Sequence, residues 1–183
     1  PTHKVTALTT LAFPGPSIKL PPVMSLPMGA RVTISREDAT FMVPPEGHHL
    51  PQQHLSLLDA TAPDFVTVAG RFVGTPYLWG GKSAFGIDCS GLVQVSLTAS
   101  GTGCPRDSDM QCDGLGRELS ADGAKHLKRG DLIFWKGHVA IVRDAETIVH
   151  ANAHHMATVI ESTREAIARI KAAGGDVVAI KRL

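Results

Sequence analysis

The sequence is poor in several residue types, and each shortage excludes a class of protein. Its 183 residues include three Cys, one Tyr and two Trp, and the formal net charge is only +1. A nearly neutral chain gives no electrostatic reason to expect binding to nucleic acid or to an anionic membrane. No apolar run approaches the roughly 18–20 residues that cross a bilayer, so we expect no membrane span.

What is present is enough apolar sequence for a packed core. Apolar residues make up 43% of the chain, and the length allows one domain or two small ones. No signal-peptide pattern opens the sequence. The chain begins at Pro1 and not at Met, so this absence says little about location.

The first 60 residues differ in composition from the rest. Short β-type runs such as Arg31–Ile34 and Thr40–Val43 are separated by Pro and Gly, which interrupt helices and central strands. Short strands with frequent turn signals predict a small β-barrel over residues 1–60. The alternative is an irregular N-terminal extension.

Residues 63–183 predict an α+β domain, because helical patterns precede a series of strand patterns. A loop of about 25 residues separates the second helix from the strands. The predicted helices begin at Pro63-Asp64, at Cys89 and at the capping box Ser162–Glu165, and the predicted strands are Asp131–Trp135, His138–Arg143, Thr147–Ala151 and Val177–Ile180.

A nucleophile and two histidines are the candidate catalytic residues. Cys89 lies at the start of a helix, where the helix dipole favours a thiolate. His138 is the candidate general base. A tight turn between two antiparallel strands would return His150 to its side, where it would orient the base. The alternatives are an inert buried thiol for Cys89, a surface histidine for His138 and a buried structural histidine for His150.

The remaining histidines and cysteines predict no metal site and no cofactor. Neither His48-His49 nor His154-His155 has the i, i+4 spacing of two ligands on one helical face, and HExxH is absent. Cys104 and Cys112 are too far apart for CxxC. We expect free thiols there, with a disulfide as the alternative.

The chain contains five motifs, which are in order Tyr77–Gly81, Asp88–Gly91, Arg129–Trp135, His138–Val142 and Val149–Ala151. Together they resemble the motifs of the NlpC/P60 cysteine peptidases. The resemblance covers residues 63–183 and implies a papain-like fold with Cys89, His138 and His150 as the catalytic residues. It also implies that Tyr77 lines the active site and helps to complete the oxyanion hole with the Cys89 amide.

Two segments further resemble the branch that cleaves the γ-D-glutamyl–diamino acid bond of cell-wall peptides: Tyr77–Gly81, which contains Trp79, and Arg106-Asp107-Ser108. This resemblance implies substrate-binding roles for Tyr77, Trp79, Asp88, Ser90, Asp107 and Ser108. Asp88 and Ser90 would hold the free amine of an N-terminal L-Ala, and Asp107 with Ser108 would contact D-Glu. The alternative for Asp107 is a salt bridge to Arg106.

The same branch often carries a bacterial SH3-like module ahead of the catalytic domain, which closes one end of the cleft. Residues 1–60 would be this module. We therefore expect a monomeric bacterial enzyme that binds peptidoglycan-derived peptides, with cytoplasmic recycling favoured over a periplasmic or secreted role. The alternatives are a cell-wall-binding module without catalysis, or an acyltransferase or amidase on the same core.

Overall fold

The computed structural model describes residues 1–38, 40–120 and 126–183. The chain divides into two compact units, Pro1–Thr61 and Ala62–Leu183. Within the described ranges, none of the helices has both the length and the apolar character needed to cross a bilayer.

The first unit consists of short antiparallel strands in three small sheets. Val5, Met42 and Leu50 are at the centre of its apolar core. The strands found among residues 1–38 and 40–61 form no closed barrel, so the SH3-like module stays a prediction. The strands are β1 (His3–Val5), β2 (Thr9–Ala12), β3 (Met24–Pro27), β4 (Arg31–Val32), β5 (Arg36–Asp38), β6 (Phe41–Val43), β7 (Leu50–Pro51) and β8 (Leu55–Leu57), with a 3-10 turn at Gln52–His54.

The second unit is built on an antiparallel sheet, which the described residues form in the order β11-β16-β12-β13-β14-β15. Its central strands are buried on both faces, which explains why they are continuous apolar runs. The sheet strands are β11 (Arg117–Glu118), β12 (Leu132–Trp135), β13 (His138–Val142), β14 (Thr147–Asn152), β15 (Ala157–Ser162) and β16 (Val177–Arg182), and β9 (Lys82–Ser83) and β10 (Gly86–Ile87) form a separate hairpin.

The second unit contains the helices α1 (Phe65–Gly70), α2 (Cys89–Ala99), α3 (Ser108–Gly114) and α4 (Thr163–Ala172). Helices α1, α2 and α4 begin at side-chain caps, and the cap at Ser162 is the one that the sequence predicts, whereas α3 has no side-chain cap. The carboxylates of Asp64 and Asp88 and the hydroxyl of Ser162 each accept a hydrogen bond from a first-turn backbone amide. Helix and sheet together confirm the α+β fold class.

Two elements depart from the sequence prediction. The predicted loop after α2 contains α3, which buries the polar side chain of Gln111 where an amphipathic helix would bury an apolar stripe. The Gln111 amide donates to the carbonyl oxygens of Ser90 and Pro105, both at 2.9 Å. Strand β15 was not predicted, because its last residues, Glu161 and Ser162, are polar and only partly buried.

Candidate active site

Close backbone packing sets the position of Cys89, the first residue of α2. A Cβ atom on Gly91 would lie 2.4 Å from the carbonyl oxygen of Gly81, and a Cβ on Gly81 would lie 2.4 Å from the carbonyl oxygen of Gly86. Side chains cannot occupy these positions without moving the backbone. The segment before α2 therefore packs backbone against backbone and places the thiol, which is only 6% exposed, at the helix start.

The two candidate histidines are hydrogen-bonded to each other. Strands β13 and β14 pair antiparallel, and this pairing brings His138 Nε2 to 2.8 Å from His150 Nδ1. The proximity predicted from the 12-residue spacing is confirmed. His150 is buried, whereas His138 is partly exposed at the start of its strand.

The thiol faces the same end of β13. Helix α2 packs on β13, and the backbone amide of Val139 is close enough to the Cys89 sulfur to lower the pKa of the thiol. Since Val139 directly follows His138, the structure brings Cys89, His138 and His150 to one place in the second unit. Their arrangement offers a nucleophile, a base and a group that orients the base.

Burial controls the charge of these groups. It raises the pKa of the Cys89 thiol, and the nearby Asp88 carboxylate adds to this effect, although backbone amides partly offset it. Burial also lowers the pKa of His138 to about 3, with repulsion from His150 and Arg169 contributing. Both shifts oppose the thiolate predicted at the helix terminus and favour a neutral thiol beside a neutral imidazole at neutral pH.

Asp88 is saturated with hydrogen-bond donors. Arg106 donates to its two carboxylate oxygens at 3.0 and 2.7 Å, and the amides of Gly80 and Gly91 donate at 2.8 and 2.7 Å. Burial alone would raise the pKa of Asp88, but these bonds outweigh it and lower the pKa. A substrate amine would thus meet a carboxylate already neutralised by Arg106, so the amine-binding role of Asp88 stays a prediction.

Arg106 also donates to the hydroxyl of Ser90 at 2.9 Å, so one guanidinium holds both neighbours of the nucleophile. The sequence interpretation assigned no role in the site to Arg106. Its position in the Arg106-Asp107-Ser108 motif was the available signal. The guanidinium forms its ion pair with Asp88, at 2.7 Å, and not with Asp107 as the alternative had it.

The other predicted substrate residues differ in their exposure to solvent. Tyr77 is half-buried and forms a β-bridge with Ile87, two residues before Cys89. Burial, followed by the charges of Cys89 and Asp88, raises its pKa. The side chain of Trp79 is 82% exposed. Asp107 is exposed at the N-cap position of α3, and Ser108 is the first residue of that helix.

Sequence reasoning missed Glu161. Its Oε1 lies 2.6 Å from His150 Nε2 and also accepts a hydrogen bond from Arg169. The residue was missed because strand β15, which carries it, was not predicted. An acidic residue within an alternating pattern just before the capping box was the only local signal.

Comparison with known proteins places this geometry in a family. The NlpC/P60 family model matches residues 74–178. A γ-D-glutamyl-L-lysine dipeptidyl-peptidase of Bacillus cereus is 32% identical over 134 residues, which cover 69% of this chain and 36% of that protein. The enzyme of the same description from Bacillus subtilis is 41% identical over 75 residues, or 41% of this chain and 24% of the relative.

A solved structure agrees over nearly the whole chain. The crystal structure of an NlpC/P60 family protein from Bacillus cereus superposes with a TM-score of 0.77 at 25% identity, covering 99% of this chain and 62% of that one. The chain thus spans about a third or less of the length of the two dipeptidyl-peptidases. The matched family model covers more than half of the chain and contains Cys89, His138 and His150. The chain therefore belongs to the NlpC/P60 family.

Proposed function

We propose that this protein is a cysteine peptidase that hydrolyses the γ-D-glutamyl–diamino acid bond of peptidoglycan stem peptides. One observation carries the proposal. The Cys89 thiol lies beside the first residues of β13, where the rings of His138 and His150 are hydrogen-bonded to each other. The relatives described as γ-D-glutamyl-L-lysine dipeptidyl-peptidases support the substrate class.

The reaction begins from a neutral thiol and a neutral imidazole. The Cys89 sulfur attacks the γ-carbonyl carbon of D-Glu while its proton passes to His138, so thiolate formation and attack are coupled. The tetrahedral intermediate collapses, the C–N bond breaks, and His138 returns the proton to the departing amine. Water then attacks the thioester with His138 as base, which releases the acid and restores the thiol.

Two groups are suited to stabilise the oxyanion. The backbone amide of Cys89 is in the first turn of α2 and interacts with its own sulfur, so it lies where the attacked carbonyl must sit. The Tyr77 hydroxyl is the second candidate donor, because the Cys89 charge acts on its pKa. The raised pKa keeps this phenol protonated and able to donate at neutral pH.

Substrate recognition is proposed for the residues around the thiol. Ser90 and Asp88 would face the N-terminal amine of the stem peptide, and Asp107 with Ser108 would contact D-Glu. Because Arg106 occupies Asp88, amine binding by that carboxylate requires Arg106 to release at least one of its two hydrogen bonds. An SH3-like role for Pro1–Thr61 is part of the same proposal.

The test is hydrolysis of L-Ala-γ-D-Glu-diamino acid tripeptides, with products identified by mass spectrometry. We expect Cys89→Ala to abolish hydrolysis while the fold remains intact. Cys112→Ala is the matched control, because it removes another free thiol of the same unit and should leave the rate unchanged. Full activity in Cys89→Ala would contradict the proposal, and transfer to an added acceptor amine without hydrolysis would favour an acyltransferase.

A further inference from the structure

We infer that Glu161 is a positioning residue that sets the tautomers of both site histidines, an inference that rests on the proposed function. Glu161 is on β15, and His150 pairs with Val159 on that strand. Two residues further along the strand, Glu161 lies diagonally opposite His150 on the same face of the sheet. The His150 side chain is fully buried and that of Glu161 is 15% exposed.

The proton between Glu161 and His150 belongs to the histidine. Glu161 Oε1 accepts a hydrogen bond from Arg169 at 2.5 Å, so this oxygen is an acceptor. It lies 2.6 Å from His150 Nε2, as close as the shortest charge-assisted hydrogen bonds between nitrogen and oxygen. Two bare lone pairs at that distance would repel each other. His150 Nε2 therefore carries hydrogen and donates to Glu161.

A competing donor is present but weaker. The Asn152 Nδ2 atom lies 3.1 Å from His150 Nε2, and its orientation is set by Asn152 Oδ1, which accepts from the His155 amide at 2.8 Å. If Asn152 donated to Nε2, the ring nitrogen would be bare and would face the Glu161 oxygen at the shorter distance. The shorter, ionic contact with Glu161 decides the tautomer.

The consequence reaches the nucleophile through two rings. With hydrogen on Nε2, His150 has a bare Nδ1, which must accept from His138 Nε2 at 2.8 Å. His138 then carries its hydrogen on Nε2 and keeps Nδ1 bare, ready to take a proton. The opposite tautomer of His150 would donate to His138 Nε2, leave hydrogen on His138 Nδ1, and give that nitrogen no lone pair for the Cys89 proton.

Nitrogen-15 NMR of the imidazoles tests the tautomers without any turnover. In the Cys89→Ala protein at pH 7 we expect His150 to be protonated at Nε2 and bare at Nδ1. Adding Glu161→Gln should populate the other tautomer, because a Gln amide can also donate to Nε2. Adding Asn152→Ala should leave the His150 tautomer unchanged. A His150 protonated at Nδ1, or a switch caused by Asn152→Ala, would overturn the inference.

Kinetics then tests the consequence for catalysis. In the active protein, Glu161→Gln should lower kcat by roughly 10–100-fold with little change in KM, a smaller loss than that seen when a carboxylate directly bonded to a catalytic histidine is neutralised. Asp131→Asn is the matched control. It removes the carboxylate of a buried ion pair with Arg182 in the same unit, so it should lower the melting temperature and leave kcat unchanged.

The positioning role of Glu161 and the proposed peptidase function can be refuted separately. Unchanged kcat in a folded Glu161→Gln protein, or an equal loss in Asp131→Asn, would overturn the positioning role. If no form of the protein hydrolysed γ-D-glutamyl peptides while the tautomers shifted as expected, the proposed substrate would be wrong and the hydrogen-bond relay from Glu161 would stand.

Discussion

Arg106→Met should destabilise the second unit by about 3 kcal/mol, the lower end of the cost of leaving one partner of a buried ion pair. Asp88 is 7% exposed and receives two of its hydrogen bonds from Arg106. The amides of Gly80 and Gly91 still donate to Asp88 in the variant, and the Arg106 side chain is 29% exposed. We therefore expect no larger loss in the free energy of unfolding. For a domain of this size the loss corresponds to roughly 10 °C in Tm.

The effect should depend on pH in one direction. The pKa of Asp88 is lowered in the folded state, so its ionised form contributes stability that is present above the unfolded value of about 4 and is lost as the pH falls through the folded pKa. The difference between wild type and Arg106→Met should therefore be constant from about pH 5 to 8 and should shrink below about pH 4.

Tryptophan fluorescence is the appropriate assay, because Trp79 and Trp135 are the two tryptophans of the chain and both lie in the second unit. Urea unfolding followed by this signal reports on that unit directly. Arg129→Met is the matched control: Arg129 pairs with Asp64 at the surface, where an ion pair is worth about 1 kcal/mol or less. An Arg106→Met protein no less stable than the control would refute the reasoning.

Two further predictions concern the charge and roles of the catalytic groups. His138→Ala should remove nearly all activity, because the proton acceptor is lost, whereas His150→Ala should retain more; a larger kcat loss in a folded His150→Ala protein would reverse the two roles. In a protein lacking Cys104 and Cys112, mass spectrometry can follow the alkylation of Cys89. The alkylation rate should rise only above the ordinary thiol pKa of about 8.5, because burial raises the pKa of Cys89. A rate that is already maximal near about pH 6 would reveal a resting thiolate–imidazolium pair.

The elements that hold the nucleophile and the histidines are predictable from sequence because their signals are local. An apolar helical pattern that begins at Cys89 marks the start of α2, and a short turn between two apolar runs marks the β13–β14 hairpin. The hairpin alone brings His138 and His150 together. Local rules of capping and strand alternation are sufficient for these elements.

The ion pairs around the site could not be predicted from the sequence in this way. Arg106 reaches Asp88 across 18 residues, and Arg169 reaches Glu161 from a helix that follows its strand. No regular spacing of residues predicts either pairing, because each depends on where α3, β15 and α4 pack. The raised pKa of Cys89 could not be predicted from the sequence either. The helix dipole is a local property, whereas burial is a property of the whole fold.

The glycine contacts before α2 limit how this active site can be altered. The carbonyl oxygens of Gly81 and Gly86 occupy the space that side chains on Gly91 and Gly81 would need. Neither glycine can therefore be replaced without moving the main chain that positions the thiol. Around the thiol, changes are therefore left to side chains that project from the same segment, and those of Trp79 and Phe85, 82% and 86% exposed, are the largest. An engineer who wished to retarget the enzyme would randomise those two positions and leave the glycines untouched.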